Sequence, residues 1–381
     1  EIERGVIVKR AWADHNLNLG IITGCWYIPS SSYNKTLSAV NRVGQGGGGV
    51  YLAMRAGTKL VGAGFETRPY RNPTSRQDTA MTSLPTTGPI IVSASRRTDV
   101  PAFYMPWLMA RLRSGSATYP NPFSGQLHQV SLRPEDVHSI VFWSKSYRPF
   151  LPHVEALDSA GYRYVCHYTI TGAPRALEPR VPDWRVNLEV FHTLAGRIGP
   201  RRVLWRFDPI VFTDTLDAAY YTARFEMLAH ALTGYTERCY FSFATYYAKA
   251  VRRLAAAGVA FRDPPLDERL ALVRTLAEIA ATCGITLFAC CQPELAGGAV
   301  RPASCVDAGL LADLFPDRPL TAEASPTRPG CGCAASRDIG VYDTCLFGCR
   351  YCYATNDDTR AAAWHSRHDP SAEQLIPPSS L

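Results

Sequence analysis

Six short apolar runs constrain this chain more than any other feature: "PIIVSA" (89–94), "HSIVFW" (138–143), "YRYVCHYTIT" (162–171), "RVLWRFDPIVF" (202–212), "RCYFSF" (238–243) and "ITLFAC" (285–290). Runs this apolar suit strands buried on both faces, as in a parallel sheet covered by helices. Helical patterns lie between and after them. "VPAFYMPWLMARLRSG" reads as helical from about Ala102, with Gly115 as its stop. "PFLPHVEALDSAG" follows the second run, and residues 184–199 form an amphipathic stretch with Val186, Val190, Phe191 and Leu194 on one face. Two further helices end at Gly234 and Gly284, and "CVDAGLLADLF" (305–315) reads as a short one. Strand–helix alternation of this kind predicts a parallel α/β sheet. With no glycine-rich dinucleotide fingerprint after the first run, the expectation is a full or partial (β/α) barrel.

In such folds the chemistry sits at the C-terminal ends of the strands, and each run here ends in polar residues. The first ends in Ser93, Ser95, Arg96, Arg97 and Asp99, the second in Trp143, Ser144 and Lys145, and the third in Tyr168, Thr169 and Thr171. The fourth carries Arg206 and Asp208. The fifth runs into Ser242, Thr245, Tyr246, Tyr247 and Lys249, and the sixth into Cys290, Cys291, Gln292 and Glu294. Arg96, Arg97, Asp99, Lys145, Arg206 and Asp208 are the candidate catalytic or substrate residues, and guanidinium groups suit a small anionic substrate. The structural alternatives are an Asp99 helix cap and an Arg206–Asp208 ion pair.

Residues 1–80 show little periodicity, include "GQGGGG" at 44–49, and hold ten Lys/Arg against five Asp/Glu. Most of the formal net charge of +7 therefore lies there, leaving too sparse a basic surface elsewhere to predict a nucleic-acid partner. The expected organisation is a dispensable extension over 1–80, an α/β domain over 81–320, a cysteine-rich segment over 321–356 and a frayed tail over 357–381. No apolar stretch is long enough for a membrane span. The expected location is the cytoplasm.

Nine of the twelve cysteines fall in residues 283–381. A disulfide scaffold is usually short and secreted, so this placement points to metal binding in a reducing compartment. "DTCLFGCRYCYAT" (343–355) spaces Cys345, Cys349 and Cys352 as C-x3-C-x2-C, with Tyr351 before the last. Soft thiolates select iron–sulfur clusters or zinc. Cys291, Cys305, Cys331 and Cys333 remain as a second set of four, enough for a closed cluster or a zinc site. Cys291 and Cys305 could equally be small core residues. Cys25, Cys166, Cys239, Cys283 and Cys290 read as core.

The three-cysteine motif resembles the cluster motif of radical S-adenosylmethionine enzymes. Residues 89–355 also resemble DUF1848, a family of bacterial proteins catalogued as a domain of unknown function. The resemblance is carried by "SASRRTDVPAFY", "VFWSK", "WRFDPI", "CVDAGLL" and "GCGCAASRDIGVYDTCLFGCRYCYAT". It implies a 4Fe–4S cluster on Cys345, Cys349 and Cys352 beside Tyr351, with S-adenosylmethionine at the open iron. It also implies a small-molecule substrate and an electron donor such as flavodoxin or ferredoxin. In the radical enzymes the motif follows the first strand, whereas here it follows the last element. Only the three cysteines therefore carry over. The alternative is a zinc-stapled α/β barrel with a hydrolytic or binding role.

Overall fold

The computed structural model describes residues 88–376 and, in the N-terminal part, strands β1 (Val40–Arg42) and β2 (Leu52–Met54), which pair antiparallel. The chain divides into two compact units, residues 1–76 and 77–381. The remainder of the expected 1–80 extension lies outside the described residues.

The second unit is built on eight parallel strands. All six expected strands are present: β3 (Ile90–Ala94), β6 (Val137–Ser144), β7 (Tyr164–Thr169), β8 (Val203–Ile210), β9 (Arg238–Phe243) and β10 (Thr286–Ala289). Two short strands add to the edges, β11 (Val300–Pro302) beside β10 and β12 (Arg337–Asp338) beside β3. The order is β11-β10-β9-β8-β7-β6-β3-β12. From β3 to β11 the strands follow chain order, the winding a barrel would have, yet among the described residues the edge strands β11 and β12 do not pair. An α/β parallel sheet is what the chain forms, and strand pairing does not close it. Loop bonds span the gap instead: the Ala334 N–H donates to the Val306 carbonyl at 3.0 Å, and the Ser304 hydroxyl to the Gly332 carbonyl at 2.7 Å.

Period-two alternation divides the sheet into two faces. One carries Val92, Phe142, Tyr164, Cys166, Trp205, Cys239, Phe241 and Leu287, packed with α2 (Met105–Ser114), α4 (Trp184–Ile198), α5 (Ala218–Ala231) and α7 (Leu266–Thr282). The other begins apolar, with Ile91, Val141, Val165, Leu204 and Phe288 against Leu310 and Leu311 of α8 (Ala308–Leu314). Two residues further along each strand this second face turns polar or aromatic, at Ser93, Trp143, His167, Arg206 and Cys290.

Several helices start where an Asp side chain accepts a backbone N–H of the first turn: Asp99 for α1 (Val100–Phe103), Asp183 for α4, Asp217 for α5, Asp307 for α8 and Asp357 for α9 (Asp358–Ser366). The single helix expected from Ala102 is two helices, broken at Tyr104. Pro106 explains the break: it has no N–H for the Ala102 carbonyl four residues back and its ring clashes with that carbonyl, while it suits the first turn of a new helix. Gly115 ends α2 in the left-handed region, as expected. The antiparallel pair β4 (Ser116–Pro120) and β5 (Leu127–Ser131) and helix α6 (Ala248–Ala256) were not anticipated. The tail differs from the expected fraying: Leu375 and Ile376 are buried, and Trp107 and Arg111 hold the carbonyls of Ala372 and Ser371 at 3.0 and 2.7 Å. Among the described residues no helix is long and apolar enough to cross a membrane.

Candidate functional site

The cysteine loop emerges from β12 and folds over the C-terminal ends of β3, β6 and β7. Its base is closed by the Asp343 N–H, which donates to the Ala354 carbonyl at 3.0 Å, and by the Asp343 carboxylate, which accepts from the Asn356 N–H. Gly348 turns the chain at φ +68°, a region glycine enters without strain. Cys345, Cys349 and Cys352 lie within electrostatic reach of one another, in an apolar pocket with Val181, Phe103 and Phe347. The Ala354 N–H donates to the Cys352 sulfur at 3.3 Å. Burial pushes the Cys345 and Cys349 thiols up, well above the usual thiol range.

A short polar chain backs this loop. The Lys145 ammonium is 2.8 Å from Glu178, which also accepts from the Thr171 hydroxyl at 2.9 Å and from the Tyr351 hydroxyl. Burial works against the Lys145 charge, but the Glu178 carboxylate outweighs it and raises the Lys pKa. Tyr351 thus faces Glu178, with Lys145 5.6 Å over its ring. Asp99 lies close to Cys345, and burial lifts its pKa to about 7. Its oxygens accept from the Ala102 N–H at 3.0 Å, the Ser144 hydroxyl at 2.7 Å and the Lys145 N–H at 2.8 Å. Asp99 therefore caps α1 and ties β3 to β6.

Arg96 and Arg97 converge on Asp338 of β12, with Nε atoms 3.7 and 4.0 Å from its carboxylate. Asp338 also accepts from Ser93 and Ser95 and from the Arg96 and Gly340 N–H groups. Beside this knot opens a cleft of ≈ 250 Å³ lined by Arg96, Arg97, Arg337, Tyr119 and His128 among others. The cysteine loop is tied to Arg96 through Tyr353, whose hydroxyl donates to the Arg96 carbonyl at 2.6 Å.

Arg206 and Asp208 form a buried ion pair, and Asp208 also accepts from Ser242. The other guanidinium nitrogen of Arg206 is 3.2 Å from the Cys305 sulfur. His167 stacks on Trp143 at 5.3 Å and donates from Nε2 to the Cys305 carbonyl at 2.7 Å. Burial lowers its pKa to about 4, with Arg206 adding to the shift, so the ring is neutral at pH 7.

Cys291, Cys305, Cys331 and Cys333 do come together. Cys290, expected in the core, joins them with its sulfur 3.3 Å from Cys305 and 3.9 Å from Cys291. The neighbouring Cys290 and Cys333 thiols hold Cys305 well below the usual thiol range, with Arg206 reinforcing them. Among the described residues no group of three or more His, Cys, Asp or Glu side chains is arranged to hold a metal ion. Thiols are nevertheless the donors a soft metal takes: three on one loop, Cys349 buried and Cys345 and Cys352 half-buried, and five more at one seam.

A family model described as "Domain of unknown function (DUF1848)" matches residues 91–354. The chain belongs to the DUF1848 family. No curated protein matches the chain. The DUF1848 span runs from β3 to the end of the cysteine loop, so it contains both thiol groups, the Asp338 knot and the polar strand ends. His167, Glu178, Asp338, Arg328 and Cys290 were missed by sequence reasoning. The alternation within "YVCHYT" puts His167 on the face of Val165 and could have exposed it. Glu178 and Asp338 sit in irregular stretches with no periodic signal.

Proposed function

We propose that this DUF1848 chain is an iron–sulfur enzyme of the radical S-adenosylmethionine kind, acting on a small anionic molecule at the C-terminal edge of its sheet. One observation supports this above the others. β12 pairs parallel with β3, Arg337 beside Val92 and Asp338 beside Ser93. A loop after the last strand therefore leaves the sheet beside the loop after the first. The C-terminal motif reaches the neighbourhood that the radical enzymes reach with an N-terminal one.

Cys345, Cys349 and Cys352 would hold the cluster. When bound with S-adenosylmethionine, such a cluster supplies the electron for that molecule's reductive cleavage; a flavodoxin- or ferredoxin-like donor would reduce it. Val181, Phe103 and Phe347 would screen the thiols from part of the bulk water. Tyr351, Glu178 and Lys145 orient the loop against β6 and β7. Arg96, Arg97 and Arg337 offer charge to an anion in the cleft.

The test is anaerobic purification with iron analysis of the native chain and of a variant with Cys345, Cys349 and Cys352 all changed to Ala. The variant should lose about four irons per chain. The reduced native protein should form 5′-deoxyadenosine from S-adenosylmethionine. An equal iron content in both sinks the reading. A colourless native protein whose zinc is lost with the triple change would favour the zinc-stapled alternative.

A further inference from the structure

The open seam of the sheet holds the second group of thiols. Cys290 and Cys291 follow β10, Cys305 follows β11, and Cys331 and Cys333 precede β12. Cys333 contacts Cys305, and Cys331 contacts Cys333. We propose that Cys291, Cys305, Cys331 and Cys333, with Cys290 beside them, form a second metal centre that takes a single soft divalent ion, zinc in chemical class, and staples β10 and β11 to β12. This assignment does not rest on the radical reading.

Spacing favours one ion. Four thiolates around one metal, at bonds of about 2.3 Å, stand about 3.8 Å apart, whereas the ligands of a cubane stand roughly 6–7 Å apart. The Cys290 sulfur, 3.3 Å from Cys305 and 3.9 Å from Cys291, shows the thiols packed at spacings of the first kind, and Cys333 contacts both Cys305 and Cys331. Binding replaces the sulfur–sulfur contacts by four metal–sulfur bonds and releases to solvent the proton of each ligand thiol that still carries one.

The surroundings suit a centre of net charge −2. Arg206 points a guanidinium nitrogen at Cys305 from 3.2 Å, Arg328 approaches Cys290 at 4.0 Å, and the Val306 N–H is 3.4 Å from the Cys333 sulfur. Cations and N–H groups directed at sulfur are what orient and neutralise a thiolate site. The backbone is fitted to the same purpose. A Cβ on Gly330, at φ +74°, would sit 3.2 Å from the Cys291 carbonyl, and one on Gly332 would sit 2.7 Å from the Ser304 hydroxyl. Only glycine on either side of Cys331 brings this segment so close to β10 and β11. The need is topological: β11 and β12 do not pair, and a structural metal supplies the link that the ladder lacks.

The experiment uses the full chain carrying Cys345→Ala, Cys349→Ala and Cys352→Ala, so that failure of the first site cannot affect the result. After loading with Zn²⁺ and dialysis it should retain about one zinc per chain and melt higher than its chelator-treated form. Co²⁺ in its place should give thiolate charge-transfer absorption. Adding Cys305→Ser and Cys333→Ser should abolish retention, whereas adding Cys283→Ser should not. If the five-fold variant does not fold, thiol labelling of the three-fold variant decides. Zinc should protect about four thiols that chelation exposes. Retention of no zinc, retention unchanged by Cys305→Ser and Cys333→Ser, or no protected thiols overturns the proposal. So does a brown protein with about four irons in this background, which would mean a cluster in place of a single ion.

Discussion

Asp338→Ala should unfasten the C-terminal segment from the sheet. β12 contributes only Arg337 and Asp338 to the ladder, so the strand itself holds little. The Asp338 carboxylate does the holding. It accepts from the Ser93 and Ser95 hydroxyls at 2.5 and 2.6 Å and from the Arg96 and Gly340 N–H groups at 2.9 and 3.1 Å, with two guanidinium groups beside it. Removing it leaves four donors and part of two charges unmatched in a site only 7% exposed. Left fully unsatisfied, each donor would cost about 1–3 kcal/mol. The hydroxyls can turn away and the guanidiniums reach some water, so the total should resemble that of breaking a buried pair, about 3–5 kcal/mol. At roughly 2–4 °C per kcal/mol, that is a fall in Tm of about 6–20 °C. Urea unfolding followed by tryptophan fluorescence measures it. Asp313→Ala, which removes an exposed partner of Arg201, is the control and should change little. A loss below about 1 kcal/mol for Asp338→Ala would show that the knot does not hold the segment, and would release Arg96 and Arg97 for a purely substrate-binding role.

Two glycines on the same chain should respond in opposite directions. Gly348→Ala should destabilise by about 1–2 kcal/mol, because φ is +68° and the new Cβ would meet Arg180. Gly196→Ala, within α4 and with nothing near its Cβ, should stabilise by about 0.5–1 kcal/mol; thermal melts that rank both variants on the same side of the parent refute the local argument. Stability should also fall as the pH drops below the ordinary histidine value of 6.5. Burial lowers the pKa of His138, so between the folded and unfolded values the unfolded chain binds more protons. His138→Gln should lessen that slope between pH 7 and 5 while the buried His167 keeps the rest, and an unchanged slope in urea titrations would show that His138 contributes nothing to it.

The strands were legible because a run buried on both faces, such as 138–143 or 202–212, leaves a continuous apolar signature. β11 and β12 were not, being two or three residues long and fixed by their neighbours. The thiol groups were legible as spacing, except for Cys290. An apolar environment and an adjacent thiol look the same in a sequence until Cys305 is placed 3.3 Å away. The polar strand ends were found, but much of their pairing was not. Arg96, Arg97 and Lys145 needed partners from loops far along the chain, Asp338 and Glu178. Pairing across such distances has no local pattern. Asp99 shows the converse: its cap was readable from the sequence, while its bond to Ser144 was not.

These contacts also explain how a segment with so little regular structure stays in place. Residues 321–356 bury Ile339, Val341 and Ala334 and are fastened further by polar ties: the Asp338 knot, the Tyr104 hydroxyl on the Thr344 carbonyl at 2.8 Å, and the Arg350 N–H on the Leu177 carbonyl at 2.9 Å. Asp358, just beyond, gathers Arg180, Arg253 and Arg350. The apolar contribution around the cysteine loop is small, chiefly Phe347 against Phe103 at 4.6 Å and Val181. Ties of this kind open locally at less cost than a packed core. A metal bound by the closed form alone therefore adds its binding energy to docking. With metal at both the loop and the seam, as proposed above, the segment would be held at both ends of the same stretch, and metal occupancy and closure over the strand ends would be a single equilibrium.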